Sequence, residues 1–200
     1  MRLGIYGGTF DPVHYGHLLL AEQCREACRL DEVWLMPAGD PPHKQGHEIS
    51  PAKARREMLE MAVAGLPQFK VSTIEIDRPG PHFTVETLSE IRRTRPVDEL
   101  FLLVGRDSLA DLSTWRQPER IAELATIVAV NRGRGAVDMR GVRETLGAQI
   151  AEHVQLVTMP GVDISASDLR QRVRDGRSIR FQVPRAVEQY IWEHQLYAAK

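Results

Sequence analysis

Two histidines three residues apart, His14 and His17, close the run Gly4-Ile5-Tyr6-Gly7-Gly8-Thr9-Phe10-Asp11-Pro12-Val13-His14-Tyr15-Gly16-His17. At the first turn of a helix that spacing puts both imidazoles on one face. Beside a glycine turn they suit a phosphate group, whose charge a positioned donor can stabilise during transfer. The same pair is compatible with zinc, although no third Cys or His lies at metal-ligand spacing nearby, or with ordinary surface residues at a helix start.

The elements around the pair favour the phosphate reading. Leu3 to Tyr6 reads as a short strand ended by Gly7-Gly8, which let the backbone turn and approach a ligand closely. From about Tyr15, Leu18, Leu19, Leu20, Ala21, Cys24, Ala27 and Cys28 fall mostly at helical spacing. Strand, glycine turn and helix start together present free N–H groups and a dipole's positive end to an anion. The chain contains neither the six-residue dinucleotide fingerprint nor a G-x-x-x-x-G-K-[ST] loop, which disfavours an ordinary dehydrogenase or a P-loop kinase.

The run G-G-T-F-D-P-V-H-Y-G-H resembles the signature of the HxGH nucleotidyltransferases, and within them the bacterial nicotinate-nucleotide adenylyltransferase branch. His14 favours that branch, because the phosphopantetheine branch typically has threonine there. The resemblance runs over nearly the whole chain. Pro41-Pro42-His43-Lys44 is similar to the branch's P-P-H-K loop, and Lys44 supplies a compact charge for a polyphosphate. Ile164-Ser165-Ala166-Ser167-Asp168-Leu169-Arg170 is similar to I-S-S-T-x-I-R, with Ala166 and Ser167 departing from it. Gly105-Arg106-Asp107-Ser108-Leu109 with Trp115 is similar to G-x-D-x-L-(x)5-W, and His82 to Leu88 to P-x-Y-T-x-x-T-L, with Phe83 for tyrosine. Arg132 matches the arginine of an R-P-G loop in which Gly133 replaces proline.

The resemblance implies an adenylyl transfer from ATP to nicotinate mononucleotide in NAD biosynthesis, with Mg²⁺ accompanying ATP and no covalent intermediate. His14, His17, Lys44 and Arg170 would neutralise phosphate charge. Gly7, Gly8, Thr9, Phe10, Gly105, Asp107, Ile164, Ser165 and Ser167 would complete the ATP site. Thr9, Lys44, Thr84, Trp115 and Arg132 would hold the mononucleotide, with Trp115 stacked on its pyridine ring. No acidic cluster suggests a protein-built magnesium cage, so no metal-ligating side chains are assigned.

Composition bounds the alternatives. Two hundred residues with 42% hydrophobic content are ample for one core and few for two domains, so residues 1–200 are expected as one unit, with the helical part from about 165 to 200 packed on it. A net charge of −1 gives no reason to expect nucleic acid or membrane as a partner. Only four basic residues are lysine, which singles out Lys44 in its Pro-rich loop. With no signal peptide expected, no apolar run near 18 residues and two cysteines without a disulfide framework, the expected place is the cytoplasm. A homo-oligomer is compatible with this reading.

Further runs read as strands at 32–36, 69–76, 100–104, 126–130 and 154–158. Helices are expected from Ser50-Pro51 to about Ala64, from a Thr84 cap, from Gly105 to Trp115, from Pro118, at 138–146, from Ser165 to Arg174, and from Pro184 to near Tyr197. Alternating strands and helices predict an α/β fold with a doubly wound, Rossmann-like parallel sheet. Loops starting at Gly7, Pro37, Asp77, Gly105, Asn131 and Pro160 should then share one edge, where ligands bind in such sheets.

Three rivals stay open: another HxGH-type enzyme, such as a phosphopantetheine or nicotinamide-mononucleotide adenylyltransferase; a class I tRNA-synthetase-like enzyme; and a non-catalytic nucleotide or RNA binder using the arginine-rich stretch 170–185. The last belongs to a different functional class, and pyrophosphate release distinguishes it.

Overall fold

Six apolar runs form six parallel strands, β1 (Arg2–Gly8), β2 (Glu32–Pro37), β3 (Phe69–Val71), β4 (Glu99–Gly105), β5 (Thr126–Arg132) and β6 (Val154–Met159). They lie in one sheet in the order β3-β2-β1-β4-β5-β6. The computed structural model describes residues 1–39, 49–132 and 139–198. Side-chain alternation along the strands sorts the core into two layers. Leu3 and Ile5 of β1, with Leu100, Leu102 and Val104 of β4, pack on one face; Tyr6, Phe101 and Leu103 pack on the other. Strands buried on both faces read as the near-continuous apolar runs that parallel sheets require.

The helices divide accordingly. α1 (Tyr15–Ala27), α2 (Ala52–Ala62), α7 (Ala166–Arg174) and α8 (Arg185–Glu193) cover the Tyr6 face, and α3 (Thr84–Thr94), α4 (Arg106–Ala110), α5 (Pro118–Leu124) and α6 (Met139–Ala151) the Leu3 face. The chain therefore changes face after β3, and β1 and β4 lie side by side with their following segments turning to opposite sides. That is the arrangement that opens a crevice beyond the carboxyl ends of the strands. Among the described residues no helix is long and apolar enough to cross a membrane.

The α/β doubly wound expectation holds, with corrections at element ends. Gly7 and Gly8 are the last residues of β1, paired with Met36 and Pro37, rather than the turn that ends it. β3 stops at Val71, well short of residue 76; it is an edge strand of three residues, and the loop beyond it starts before Asp77. Pro51 is the N-cap of α2 and not its first helical residue, and the helix ends at Ala62. Its buried residues are Ala54, Arg55, Met58 and Leu59, and Met61 is 39% exposed. Phe83, not Thr84, is the N-cap of α3. The stretch 105–115 is α4 followed by a single 3-10 turn, with Trp115 capping its end. α6 runs on to Ala151 past a break at Gly147 (φ 81°). α8 ends at Glu193, because Gln195 and Tyr197 both take left-handed backbone conformations that no α-helix accommodates.

Ser165 does cap α7, accepting the Asp168 N–H at 3.1 Å. The two cysteines are unpaired and fully buried on the inner side of α1. Burial pushes the Cys24 thiol up to about 12 from its ordinary 9.0, and raises Cys28 as well. A thiol whose native pKa lies above its unfolded value contributes stability below the unfolded pKa, and that contribution disappears as pH climbs from about 9 towards about 12. We therefore expect the native protein to resist thiol-specific alkylation at about pH 8 and its unfolding temperature to fall on raising the pH through that window. Rapid alkylation of the native protein would contradict the burial.

Candidate active site

The crevice beyond β1 and β4 is a cleft of about 640 Å³. One wall is the end of β1 and the loop after it (Tyr6, Gly7, Gly8, Thr9) with His17 of α1. The other is the end of β4 and the start of α4 (Gly105, Arg106, Asp107), with Thr84, Thr87 and Trp115 further out and Asn131 from β5. Ideal β-carbons at Gly7 and Gly105 would meet nothing within 4 Å, so these glycines leave room in the cleft itself. Gly8 is different: a β-carbon there would stand 3.0 Å from the Phe10 ring.

Beneath the loop, Phe10 is 1% exposed with φ 50°. Its ring meets Tyr6 edge-on at 5.4 Å and His17 at 5.0 Å, so it fixes the tilt of the catalytic candidate from below. The two imidazoles do not stand side by side as the helical spacing suggested. His14 is the N-cap of α1, 3% exposed, and its ring is stacked on that of His17 with centroids 3.6 Å apart. The His14 backbone N–H donates to His17 Nδ1 at 3.3 Å, which leaves the neutral ring's proton on Nε2. Gly16 makes the stack fit, since a β-carbon there would lie 3.0 Å from His14 Nδ1.

Arg170, from α7, reaches across to the loop and donates to the Asp11 carbonyl at 2.6 Å and to Ser167 Oγ at 3.3 Å. Arg55, 2% exposed on α2, donates to the Thr9 carbonyl at 3.0 Å and the Ser50 carbonyl at 3.0 Å. Burial pulls its pKa down, opposed by the charge of Asp11. On the outer wall Arg78 donates to Thr87 Oγ1 at 2.7 Å, and Thr87 donates to Glu75 at 2.8 Å, so that cleft carboxylate is tied into its own wall. Arg116 lies 4.6 Å over the Phe83 ring and pairs with Glu86 at 2.9 Å, joining the Trp115 segment to the start of α3.

Residues 5–172 match the family model described as cytidylyltransferase-like. In three dimensions the chain is similar to the Plasmodium falciparum nicotinic acid mononucleotide adenylyltransferase complexed with NaAD. The TM-score is 0.79 at 18% identity, with 98% of this chain and 97% of that one covered. A relative from Thermomicrobium roseum, named "Probable nicotinate-nucleotide adenylyltransferase", is 47% identical over 98% of this chain and 91% of its own length. One of the same name from Thermus thermophilus is 46% identical over 98% and 100%. This chain belongs to the nicotinate-nucleotide adenylyltransferase family.

Of the residues that the family resemblance singled out, Gly7, Gly8, Thr9, His17, Thr84, Gly105, Asp107 and Trp115 line the one cleft. His14 stands behind His17, and the Phe10 side chain is core rather than lining. Ser165 and Ser167 are exposed and Ile164 half-buried at the start of α7, joined to the loop through Arg170. Lys44 lies outside the described residues, as does the Arg132 side chain at the end of β5. Sequence reasoning missed Glu75, Thr87 and Asn131, which line the cleft, and Arg55 and Asp11, which hold its loop. Asp11 was visible in the signature itself and Thr87 in the motif from His82 to Leu88, whereas Glu75, Asn131 and Arg55 carry no local pattern.

The two glycines of β1 separate packing from ligand space. Gly7→Ala should leave the unfolding temperature unchanged or slightly raised, since an extended alanine loses less entropy than glycine on folding. It should raise the KM for ATP by roughly tenfold, equivalent to about 1.4 kcal/mol. Gly8→Ala should lower the unfolding temperature by pressing on Phe10. An unchanged KM in Gly7→Ala would remove that space from the nucleotide site.

Proposed function

We infer that this protein transfers the adenylyl group of ATP to nicotinate mononucleotide, forming nicotinate adenine dinucleotide and pyrophosphate. The observation that carries this reading is that His17, backed by the stacked His14 ring, and Trp115 line one cleft at the β1–β4 switch point, in a chain 46–47% identical to family members over nearly its whole length. An anion site at one end and an aromatic face at the other suit a phosphate reacting beside a pyridine ring.

In the proposed reaction an oxygen of the acceptor's phosphate attacks the α-phosphorus of ATP in line. The new O–P bond forms as the bridging bond to the β-phosphate breaks, and its electron pair leaves with pyrophosphate. The nucleophile is already anionic, so alignment and charge stabilisation matter more than proton abstraction. His17 Nε2–H donates to the transferring phosphate, the backbone amides after β1 line its path, and Arg170 adds a guanidinium that matches phosphate geometry. Lys44 is assigned to the phosphates, and Asp107 to ribose hydroxyls as an acceptor. Imidazole, guanidinium and amide groups suit phosphate oxygens rather than a hard divalent cation. Among the described residues no group of three His, Cys, Asp or Glu side chains could hold a metal. Mg²⁺ accompanying ATP would offset phosphate charge.

Acceptor choice is assigned to the start of α3. Thr84 is its first residue, lines the cleft and leads an 11-residue helix, whose first N–H groups have no intrahelical partner and favour an anion. Pairing of Glu86 with Arg116 offsets the nearest negative charge on that turn. A carboxylate accepts from such donors, whereas a carboxamide brings its own NH₂ against them, a mismatch worth about 1–3 kcal/mol. Nicotinate mononucleotide should thus exceed nicotinamide mononucleotide in kcat/KM by roughly 10²-fold. Trp115→Ala should weaken both, because the indole stacks on either ring. Equal use of the two acceptors would refute the carboxylate argument and leave adenylyl transfer standing.

His17→Ala should lower kcat by roughly 10²–10³-fold, as loss of one preorganised donor does, with a smaller change in ATP affinity. Pyrophosphate release in steady state reads both. A variant retaining more than half the wild-type kcat would take His17 out of the mechanism.

A further inference from the structure

We propose that Asp11, Arg55 and Tyr197 form a clasp that sets the phosphate-facing groups of this site, with Tyr197 as a positioning residue supplied from beyond α8. The proposal rests on the adenylyl-transfer reading and extends it to residues that touch no substrate.

Four stretches of chain meet at Asp11, itself 2% exposed. Its Oδ2 accepts the Ser50 N–H at 3.1 Å, its Oδ1 accepts the Tyr197 hydroxyl at 2.5 Å, and its carbonyl accepts from Arg170 at 2.6 Å. Arg55 closes the ring of contacts by donating to the carbonyls of both Thr9 and Ser50. Two of these bonds end on residues with a place in the proposed chemistry, Thr9 and Arg170. Thr9 lines the cleft, Arg170 is the guanidinium of α7, and Ser50 leads into α2, the helix that carries Arg55.

The clasp acts on His17 through Phe10. Thr9 and Asp11 flank Phe10, whose left-handed backbone and buried ring allow it little freedom, and that ring bears edge-on against the His17 imidazole. Shifting the carbonyl of Thr9 or the carboxylate of Asp11 would therefore tilt His17. A misplacement of about 1 Å is enough to cost catalysis heavily.

Tyr197 shows the cost of the arrangement. Its φ of 63° is rare for an aromatic residue, and Gln195 two residues earlier has φ 51°. Strained residues persist where their surroundings over-determine them, and they concentrate at functional sites. Here the surroundings are the Asp11 carboxylate on one side and apolar packing on the other. Burial first, and the Asp11 charge second, push the phenol far above its ordinary range, so its hydroxyl stays a donor at any working pH.

Tyr197→Phe removes one hydroxyl and keeps the ring. Arg55→Lys keeps the charge but loses the two-point grip on Thr9 and Ser50. Measured where each variant is fully folded by circular dichroism, both should lower kcat by roughly tenfold while the KM for nicotinate mononucleotide stays within about twofold. In both, the His17 imidazole resonances should move in NMR spectra without substrate. If one variant does not fold, the other carries the same test. Wild-type kcat in the folded variants, or a loss that only follows the folded fraction, would overturn the clasp. A wild-type protein releasing no pyrophosphate would reject the adenylyl-transfer reading instead, and unmoved His17 resonances would then reject the clasp on their own.

Discussion

The parallel pairing of β1 with both β2 and β4 is the constraint on which the remainder depends. It holds Gly7 and Gly8 against Met36 and Pro37 on one side, while Arg2 to Ile5 pair with Glu99 to Leu102 on the other. The strand is thus fixed along its whole length and buried on both faces. Its following loop has nowhere to go but into the crevice, because the next helices on either side turn away from each other. Gly7 is a spacer in that crevice, keeping its floor at backbone level, whereas Gly8 leaves room for the Phe10 ring beneath.

Charge is handled in two tiers. The inner tier faces the cleft and is rich in donors: amides and one imidazole backed by another. The outer tier holds the inner one still, and there the charges are paired or buried: Arg55 near Asp11, Arg78 between Thr87 and Glu90, Arg116 between Phe83 and Glu86. Arginine suits this second role because a planar fork can bind two acceptors from different stretches of chain at once. The scarcity of lysine in the sequence fits a molecule whose cations serve mainly as cross-braces.

Much of this was legible in the sequence because it is local. The first glycine run, the histidine spacing, the Ser165 cap and the apolar strands all declare themselves within a few residues, and the α/β order followed from their alternation. What failed was local too: β3 looked longer because Phe69 to Ile76 alternates, yet its pairing ends at Val71 against Leu35 although β2 runs on to Pro37, and the Asp77 N–H closes a turn on the Thr73 carbonyl at 2.9 Å instead. The imidazole stack escaped notice because His14 sits before the helix, where helical spacing no longer predicts direction. Arg55, Glu75 and Tyr197 were invisible for a different reason. Their partners lie 46, 12 and 186 residues away, and no periodicity records a contact made by folding.

The open β-carbon positions at Gly7 and Gly105 bear on inhibition. In the proposed site the nucleotide fills this space, so a methyl group that expels a competing compound would also expel the substrate. Escape by enlarging either glycine is self-defeating. Arg106 offers no such protection: it is exposed at the cleft rim and makes no hydrogen bond or ion pair among the described residues. A compound gripping its guanidinium would gain affinity from a side chain that the fold does not need. Inhibitors that reach only the glycine floor should therefore hold their potency across drifting sequences, and those that reach Arg106 should lose it first.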